Sequence, residues 1–294
     1  MCIRDRTKIL TVNSIVMLLS NVALNYCLIF GKGGFPAAGI AGAAIASSVS
    51  EAVSLLFFII YTSMTADKRK YGFRRAFTLR PHLLKGMLSI SGWTMVQSFI
   101  SVSIWFIFFL AIEHLGERPL AVTNIVRNIS ALLIMVISAF ATTAGALISN
   151  QIGAGEQRCL FKTCGMTLKL TYAILIPLLI ILCLFPESVL RAFTDSPSLI
   201  AASVNSVYVM ASSTLIMAPS FILFNAVSGT GNTRAGFIME MISLAVYTAV
   251  IYYGIIRLKP DVALCWFSEH VYGVTLIFLA WWYLKSGKWR GKKV

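Results

Sequence analysis

Two asparagines, Asn21 and Asn25, interrupt an otherwise apolar run near the start of the chain. Residues four apart lie on one face of an α-helix, and Ser14 falls on the same stripe, one heptad before Asn21. Two neighbouring amide oxygens can coordinate a small cation or accept hydrogen bonds from a substrate. The same side chains also form interhelical hydrogen bonds that hold bundles together, so the spacing leaves both roles open.

Glu51 lies near the middle of the next apolar run. A carboxylate in such a place must be protonated, paired with a cation or turned toward water, because an isolated buried charge is very unfavourable. We consider two roles for Glu51: a carrier of a proton or small cation, and a structural hydrogen bond to a neighbouring helix.

Arg127 lies about two turns into another apolar run. A buried guanidinium requires an anion. Glu113 and Glu269 lie at a similar depth in their own runs, whereas Glu240 lies near the opposite end of its run and is a poorer partner. We predict that Arg127 pairs with Glu269 or with Glu113, either as a static contact or as a pair that opens during function.

The patterns of common catalytic and metal sites are absent from the sequence. The three histidines are dispersed, the six cysteines show no Cys-x-x-Cys spacing, and there is no nucleotide-binding loop or nucleophile elbow. We predict that the protein is not an enzyme, has no metal centre and holds no organic cofactor.

The composition decides which kind of element carries these polar residues. Of 294 residues, 58% are hydrophobic and only 12% are charged, and the mean hydropathy is +0.81. A soluble protein of this size cannot bury so much apolar surface, but a lipid bilayer can accommodate it. The composition excludes a soluble enzyme, a disulfide-rich secreted module and a disordered chain, and continuous apolar runs exclude a barrel.

The apolar runs predict an all-α fold, a polytopic membrane bundle of eight transmembrane helices. Each run reaches the length of about 20 residues that one crossing needs. The predicted segments are 9–30, 37–64, 93–112, 120–149, 166–185, 200–227, 235–256 and 262–284.

The basic residues predict the orientation of these helices. With eight crossings, nineteen Lys and Arg residues fall in the loops on the side of the two termini. Five fall on the other side: Lys32, Arg118, Arg191, Arg257 and Lys259. This asymmetry follows the positive-inside rule and places both ends in the cytoplasm, so the net charge of +14 does not indicate a nucleic-acid partner.

One basic loop, residues 65–85, predicts the organisation of the chain. It is the longest loop, it carries seven positive charges, and it separates two crossings from six. We predict a linker between two bundles, which gives a first part at 1–64, the loop at 65–85 and a second part at 86–294.

Four segments resemble the multidrug and toxic compound extrusion (MATE) transporters. These segments are LNYCLIFGKGGFPAAGIAGAAIASSVSE (Leu24–Glu51), ERPLAVTNIVRNIS (Glu117–Ser130), LISNQIGAGE (Leu147–Glu156) and SGTGNTRAG (Ser228–Gly236). The resemblance covers essentially residues 8–294, and the four segments together are more specific than any one of them.

The resemblance implies a larger architecture. The family has twelve helices in two six-helix lobes around a central cavity, so this chain resembles helices five to twelve. It would contain two helices of the N-lobe, the inter-lobe loop and a complete C-lobe. We therefore expect that the leading MCIRDR is not a native start, and that the complete protein is a monomer in the bacterial inner membrane.

The family also implies a function, the export of small amphipathic, often cationic compounds by alternating access. An inward Na⁺ or H⁺ gradient drives this export. The alternative within the superfamily is a flippase for lipid-linked saccharides, whose cavity would need several basic side chains for a pyrophosphate. Arg127 is the only basic residue well inside a predicted crossing, which favours the exporter.

Individual residues match the family unevenly. In one branch, an N-lobe cation site uses an Asn and an Asp on helix five; Asn21 matches the Asn, and Asn25 stands in place of the Asp. Ser47 lies near the position of a helix-six hydroxyl. Together with Glu51, these residues form our candidate substrate and cation site.

A second branch places an acid in the middle of helix seven. Here the matching stretch, QSFISVSIW at 97–105, contains no acid, and Ser101 or Ser103 occupies that zone. The coupling chemistry would then fall to Glu51 first and Glu269 second.

Overall fold

The structure, a computed structural model, describes residues 7–34, 36–65, 81–287 and 289. Of residues 7, 82, 83, 85–87, 89 and 90, the backbone alone is described. The predicted basic loop at 65–85 therefore lies outside the described residues except for Thr65 and the helical residues from Pro81. The charged residues Arg4, Arg6, Lys288, Arg290, Lys292 and Lys293, which contribute to the charge asymmetry, also lie outside them.

The described residues are helical, with short connections and no strand. The α-helices are α1 (Thr7–Phe30), α2 (Gly39–Thr65), α3 (Pro81–Glu113), α4 (Glu117–Gly153), α5 (Leu160–Leu184), α6 (Pro186–Arg191), α7 (Pro197–Gly229), α8 (Thr233–Val250), α9 (Val262–Cys265) and α10 (Ser268–Ser286). In this part of the chain, eight helical spans are long and apolar enough to cross a membrane, which confirms the predicted number.

The chain divides into two compact units, Met1–Pro81 and His82–Val294. In the first unit, α1 and α2 pack side by side. Gly42 allows this contact, because a Cβ at that position would lie 2.5 Å from the carbonyl oxygen of Leu28. Such a small residue lets two backbones approach closely, as in many membrane helix pairs.

The core of the second unit is the packing of α4 against α7. The two helices cross at a pair of glycines, since a Cβ on Gly229 would lie 2.5 Å from the carbonyl oxygen of Gly145. Large apolar side chains fill the space on either side of this crossing, among them Ile137, Ile148, Met210 and Ile222.

Helix α3 is joined to this core through aromatic side chains. Trp93 contacts Phe237 at a ring-centroid distance of 5.1 Å. Phe108, which is fully buried, contacts Trp266 at 5.7 Å and Tyr247 at 6.5 Å. These contacts hold the polar face of α3 toward α8 and α10.

Two spans are irregular where hydropathy predicts continuous segments. The seventh span changes from α-helix to a π-helix at Ile251–Arg257, and the eighth is broken into α9 and α10 near Trp266. π-helical turns are rare and occur frequently at functional sites. The break makes Glu269 a residue of the first turn of α10.

Candidate functional site

Three of the four residues predicted in the first unit lie together. Asn25 Nδ2 donates to Asn21 Oδ1 at 2.8 Å, and Asn21 Nδ2 donates to Ser47 Oγ at 3.5 Å. The Oδ1 atom of Asn25 is buried and has no hydrogen-bond partner. Glu51 lies one turn beyond Ser47 on α2, and its side chain is exposed.

A second polar contact between α1 and α2 was not predicted. Asn13, which is 7% exposed, donates from Nδ2 to Ser54 Oγ at 2.7 Å. The signal was present in the sequence, because Ser54 follows Ser47 by one heptad and so lies on the same face of α2. Ser14, which was predicted to join the stripe, instead donates to the carbonyl oxygen of Leu10 on its own helix.

In the second unit, a pocket of about 360 Å³ opens between α3 and α4. Its wall combines the aromatic side chains of Trp105, Phe106 and Phe109 with two opposite charges, Glu113 and Arg127. The guanidinium carbon of Arg127 lies 5.0 Å from the centre of the Phe109 ring. A cation in that position is attracted by the face of the ring.

The structure does not bring Arg127 and Glu269 together as the predicted ion pair. Within 81–287, Arg127 has the Phe109 ring as its neighbour, and the carboxylate of Glu269 has other partners. Glu113 shares the pocket with Arg127, but no ion pair joins them among these residues.

Glu269 is positioned by a donor on α8. The phenol of Tyr247 donates to Glu269 Oε1 at 2.8 Å. The first turn of a helix also favours negative charge, because its free N–H groups point toward that end. Glu269 is therefore half-buried and held by a hydrogen bond from a neighbouring helix.

Glu240 on α8 is a buried acid, which was considered from the sequence only as a poorer partner for Arg127 because it lies near the opposite end of its run. It is 4% exposed, and its Oε1 accepts from Ser101 Oγ at 2.8 Å and from Tyr272 Oη at 2.9 Å. Its Oε2 is buried without a partner. The polar spacing Glu240, Ser243 and Tyr247 on one stripe of α8 was the signal that could have indicated a buried polar face.

The two acids belong to one polar layer inside the second unit. The rings of Tyr247 and Tyr272, which donate to Glu269 and Glu240, contact each other edge to face at 5.8 Å. No group of three His, Cys, Asp or Glu side chains suited to a metal ion occurs in the described part of the chain. The layer is built from carboxyl and phenol groups that are joined by hydrogen bonds.

The chain is similar to bacterial transporters. The MatE family model matches residues 94–253, which is more than half of the chain. A probable multidrug resistance protein NorM of Thermotoga maritima is 25% identical over 291 residues, covering 93% of this chain and 59% of the relative. An uncharacterized transporter of Bacillus subtilis, YisQ, is 25% identical over 243 residues, covering 79% of this chain and 50% of the relative.

The fold is also found in solved structures. An outward-facing multidrug resistance MATE transporter superposes with a TM-score of 0.80 at 16% identity, covering 94% of this chain and 61% of that one. The chain thus spans about half to three-fifths of the length of these three proteins. Because the family model covers more than half of its residues, and because it folds as a multi-pass membrane helix bundle, the chain belongs to the MatE family.

Proposed function

We propose that this chain is part of a secondary active exporter for small amphipathic, often cationic compounds. The observation that carries this proposal is the α3–α4 pocket, in which three aromatic rings lie beside the carboxylate of Glu113 and the guanidinium of Arg127. Aromatic faces and a carboxylate together bind an organic cation, since the rings supply apolar contact and cation–π attraction and the acid supplies the counter-charge. The multidrug resistance relatives support the same assignment.

The pocket favours an exporter over a flippase. A lipid-linked pyrophosphate would need several convergent basic groups. The described lining offers Arg127, and Glu113 stands in the same pocket. An acid at that position repels a polyanion, whereas it attracts a cationic substrate.

The driving force in this proposal is an inward gradient of Na⁺ or H⁺. A site that changes affinity when a cation binds shifts the balance between outward-open and inward-open states, which is alternating access. The polar groups around Asn21 and Asn25 and the acids of the second unit are the candidate coupling groups. We also propose that the chain has both ends in the cytoplasm and that the complete protein acts as a monomer without enzymatic activity.

The binding step is tested directly on the purified chain. Equilibrium dialysis in detergent with radiolabelled tetraphenylphosphonium, an amphipathic cation, should give saturable binding that Glu113→Gln weakens. We expect a loss of affinity of about 5- to 10-fold, which corresponds to roughly 1–1.4 kcal/mol. Glu117→Gln, an exposed acid in the first turn of α4, is the matched control and should bind normally.

The transport step is tested in proteoliposomes. An imposed H⁺ or Na⁺ gradient should drive accumulation of the same cation, and an ionophore that collapses the gradient should abolish it. Absence of saturable binding, together with no gradient-driven accumulation, would overturn the proposed function.

A further inference from the structure

The environment of Glu240 provides for two protonation states of one carboxyl group. Its Oε1 receives two hydroxyl donors, Ser101 from α3 and Tyr272 from α10, while its Oε2 has none. Ser243, one turn further on the same face of α8, is fully buried and its Oγ also has no partner. Glu240 and Ser243 are therefore buried, and each has an oxygen without a hydrogen-bond partner.

The hydroxyl of Ser101 has one hydrogen and two acceptors within reach. Its Oγ lies 2.8 Å from Glu240 Oε1 and 3.0 Å from the carbonyl oxygen of Gln97, four residues earlier on α3. A serine hydroxyl donates one hydrogen bond and accepts up to two. When Glu240 is ionised, Ser101 donates to it. When Glu240 carries a proton on Oε1, Ser101 donates to Gln97 and accepts the new O–H.

Among the side chains that the structure describes, none supplies a permanent positive charge to Glu240. Tyr272 is the titratable side chain that contacts it, and Glu269 lies beyond Tyr272 in the same polar layer. Helix α7 contains no Asp, Glu, His, Lys or Arg, and neither does α3 between 91 and 112. The basic side chains described on α8, on the π-helix that follows it and on α10 contact other residues. Arg234 lies over Trp93, Arg257 over Tyr252, Lys285 over Trp281, and His270 beside Ser212.

This arrangement makes the charged form of the acid costly to keep. An ionised carboxylate that is removed from water and has no neighbouring cation is strongly destabilised. Two hydroxyl donors offset part of that cost, and a proton removes the rest. The residue can therefore hold a proton without leaving its contacts, and it can release one without losing all of them.

We propose that Glu240 is a reversible proton-binding site, with Ser101 and Tyr272 as the positioning residues that serve both of its states. In the uptake step, a proton from water forms an O–H bond at Oε1, and the hydrogen of Ser101 turns from Oε1 to the carbonyl oxygen of Gln97. Release reverses both movements, and the proton returns to water. No other reactant takes part.

Helix α3 connects this site to the pocket. Ser101 contacts Glu240, and Trp105, one turn later on the same helix, lines the pocket. Proton uptake weakens the charge-assisted hydrogen bond between Ser101 and Glu240. Because this bond joins α3 to α8, its weakening changes the position of the pocket residues that α3 carries. This link deepens the proposed exporter and rests on it, whereas the proton site itself does not.

Infrared difference spectroscopy tests the proton site without any substrate. The purified chain in detergent is titrated between about pH 4 and pH 10, where carboxyl groups that are perturbed by burial change state. The carbonyl-stretch band of a protonated, water-shielded carboxylic acid should appear and disappear reversibly. This band should be absent in Glu240→Gln and unchanged in the control Glu117→Gln.

Two conservative variants keep the test decisive if Glu240→Gln folds poorly. Ser101→Ala and Tyr272→Phe retain the acid but remove one donor each, so each should move the midpoint of the band to higher pH. A midpoint that stays in place in both variants would overturn their role. A band that persists in Glu240→Gln, or that does not titrate, would overturn the proton site. A midpoint that falls as NaCl replaces choline chloride would show that Na⁺ competes with the proton, and it would overturn the assignment of the site to the proton alone.

The link to the pocket has its own readout. Saturating tetraphenylphosphonium should shift the midpoint of the Glu240 band in the unsubstituted chain. If the cation binds without shifting the midpoint, the link through α3 is wrong. If the cation does not bind, the exporter proposal fails, and the titration without substrate still decides the proton site.

Discussion

The phenol of Tyr247 on α8 donates a 2.8 Å hydrogen bond to Glu269 Oε1 on α10, and Tyr247 is only 2% exposed. The hydrogen bond joins α8 to the first turn of α10, the helix that follows the break near Trp266. The bond fixes the position of an acid that would otherwise lack a strong donor on α8.

Removing this phenol should destabilise the second unit. Tyr247→Phe removes the donor on α8 from the half-buried carboxylate of Glu269, and a hydrogen bond to a charged group contributes about 1.5–3 kcal/mol. The free energy of unfolding in detergent measures the effect. Tyr253→Phe, at a side chain that is 67% exposed, is the control and should change stability little. Equal losses in the two variants would show that the bond does not matter.

A methyl group at the α4–α7 crossing should be poorly tolerated. In Gly229→Ala the new Cβ would meet the backbone of Gly145 at 2.5 Å, and a backbone cannot move aside as a side chain can. We expect destabilisation of about 1–3 kcal/mol, measured by thermal unfolding in detergent.

Gly165→Ala is the matched control for the crossing. Gly165 lies within α5, and no atom lies within 4 Å of its added Cβ. This change should be neutral or stabilise the chain by roughly 0.5–1 kcal/mol, because alanine favours the helix. A stable Gly229→Ala variant would contradict the close crossing.

A double-mutant cycle distinguishes the observed neighbours of Arg127 from the ion pair that the sequence suggested. For Arg127→Gln combined with Glu269→Gln, we expect a coupling energy below about 0.5 kcal/mol, since the two side chains have separate partners. The cycle of Tyr247→Phe with Glu269→Gln is the positive control. A coupling above about 1 kcal/mol in the first cycle would show that Arg127 and Glu269 do pair.

The contact between Asn13 and Ser54 should couple α1 to α2. Hydrogen bonds between membrane helices average about 0.6 kcal/mol in such cycles, so Asn13→Ala with Ser54→Ala should show a coupling of that order. Ser14→Ala should be nearly silent, because its hydroxyl bonds its own helix. No coupling between Asn13 and Ser54 would argue against the packing of the two helices in this register.

Reporter fusions test the orientation. Green fluorescent protein fused after Val294 should fluoresce, because it folds in the cytoplasm, and alkaline phosphatase fused after Lys259 should be active outside it. The physical reason is the excess of basic residues in the loops on the side of the termini. The reverse pattern would show that the charge asymmetry predicts the wrong side.

The sequence alone was sufficient for the number and type of the elements. Runs such as 120–149 are apolar over the thickness of a bilayer. In lipid such a run forms an α-helix, because the helix pairs its backbone N–H and C=O groups within the segment. The i, i+4 spacing also placed Asn21 beside Asn25, because neighbours within one helix are fixed by its geometry. The assignment of Ser47 to the candidate site depended on the resemblance to a known family.

Tertiary structure alone decided which helix faces meet, and therefore which groups contact Glu240 and Glu269. Glu240 was judged a poorer partner for Arg127 from its position within its apolar run alone. Its partners in the structure, Ser101 and Tyr272, come from helices that are distant in the chain. Arg127 was assigned an acid because a buried guanidinium needs compensation, yet the face of Phe109 lies beside it. Hydropathy predicts which residues of a helix lie within the bilayer, but not how the helix is rotated about its axis. That rotation determines which side chains come within hydrogen-bonding distance.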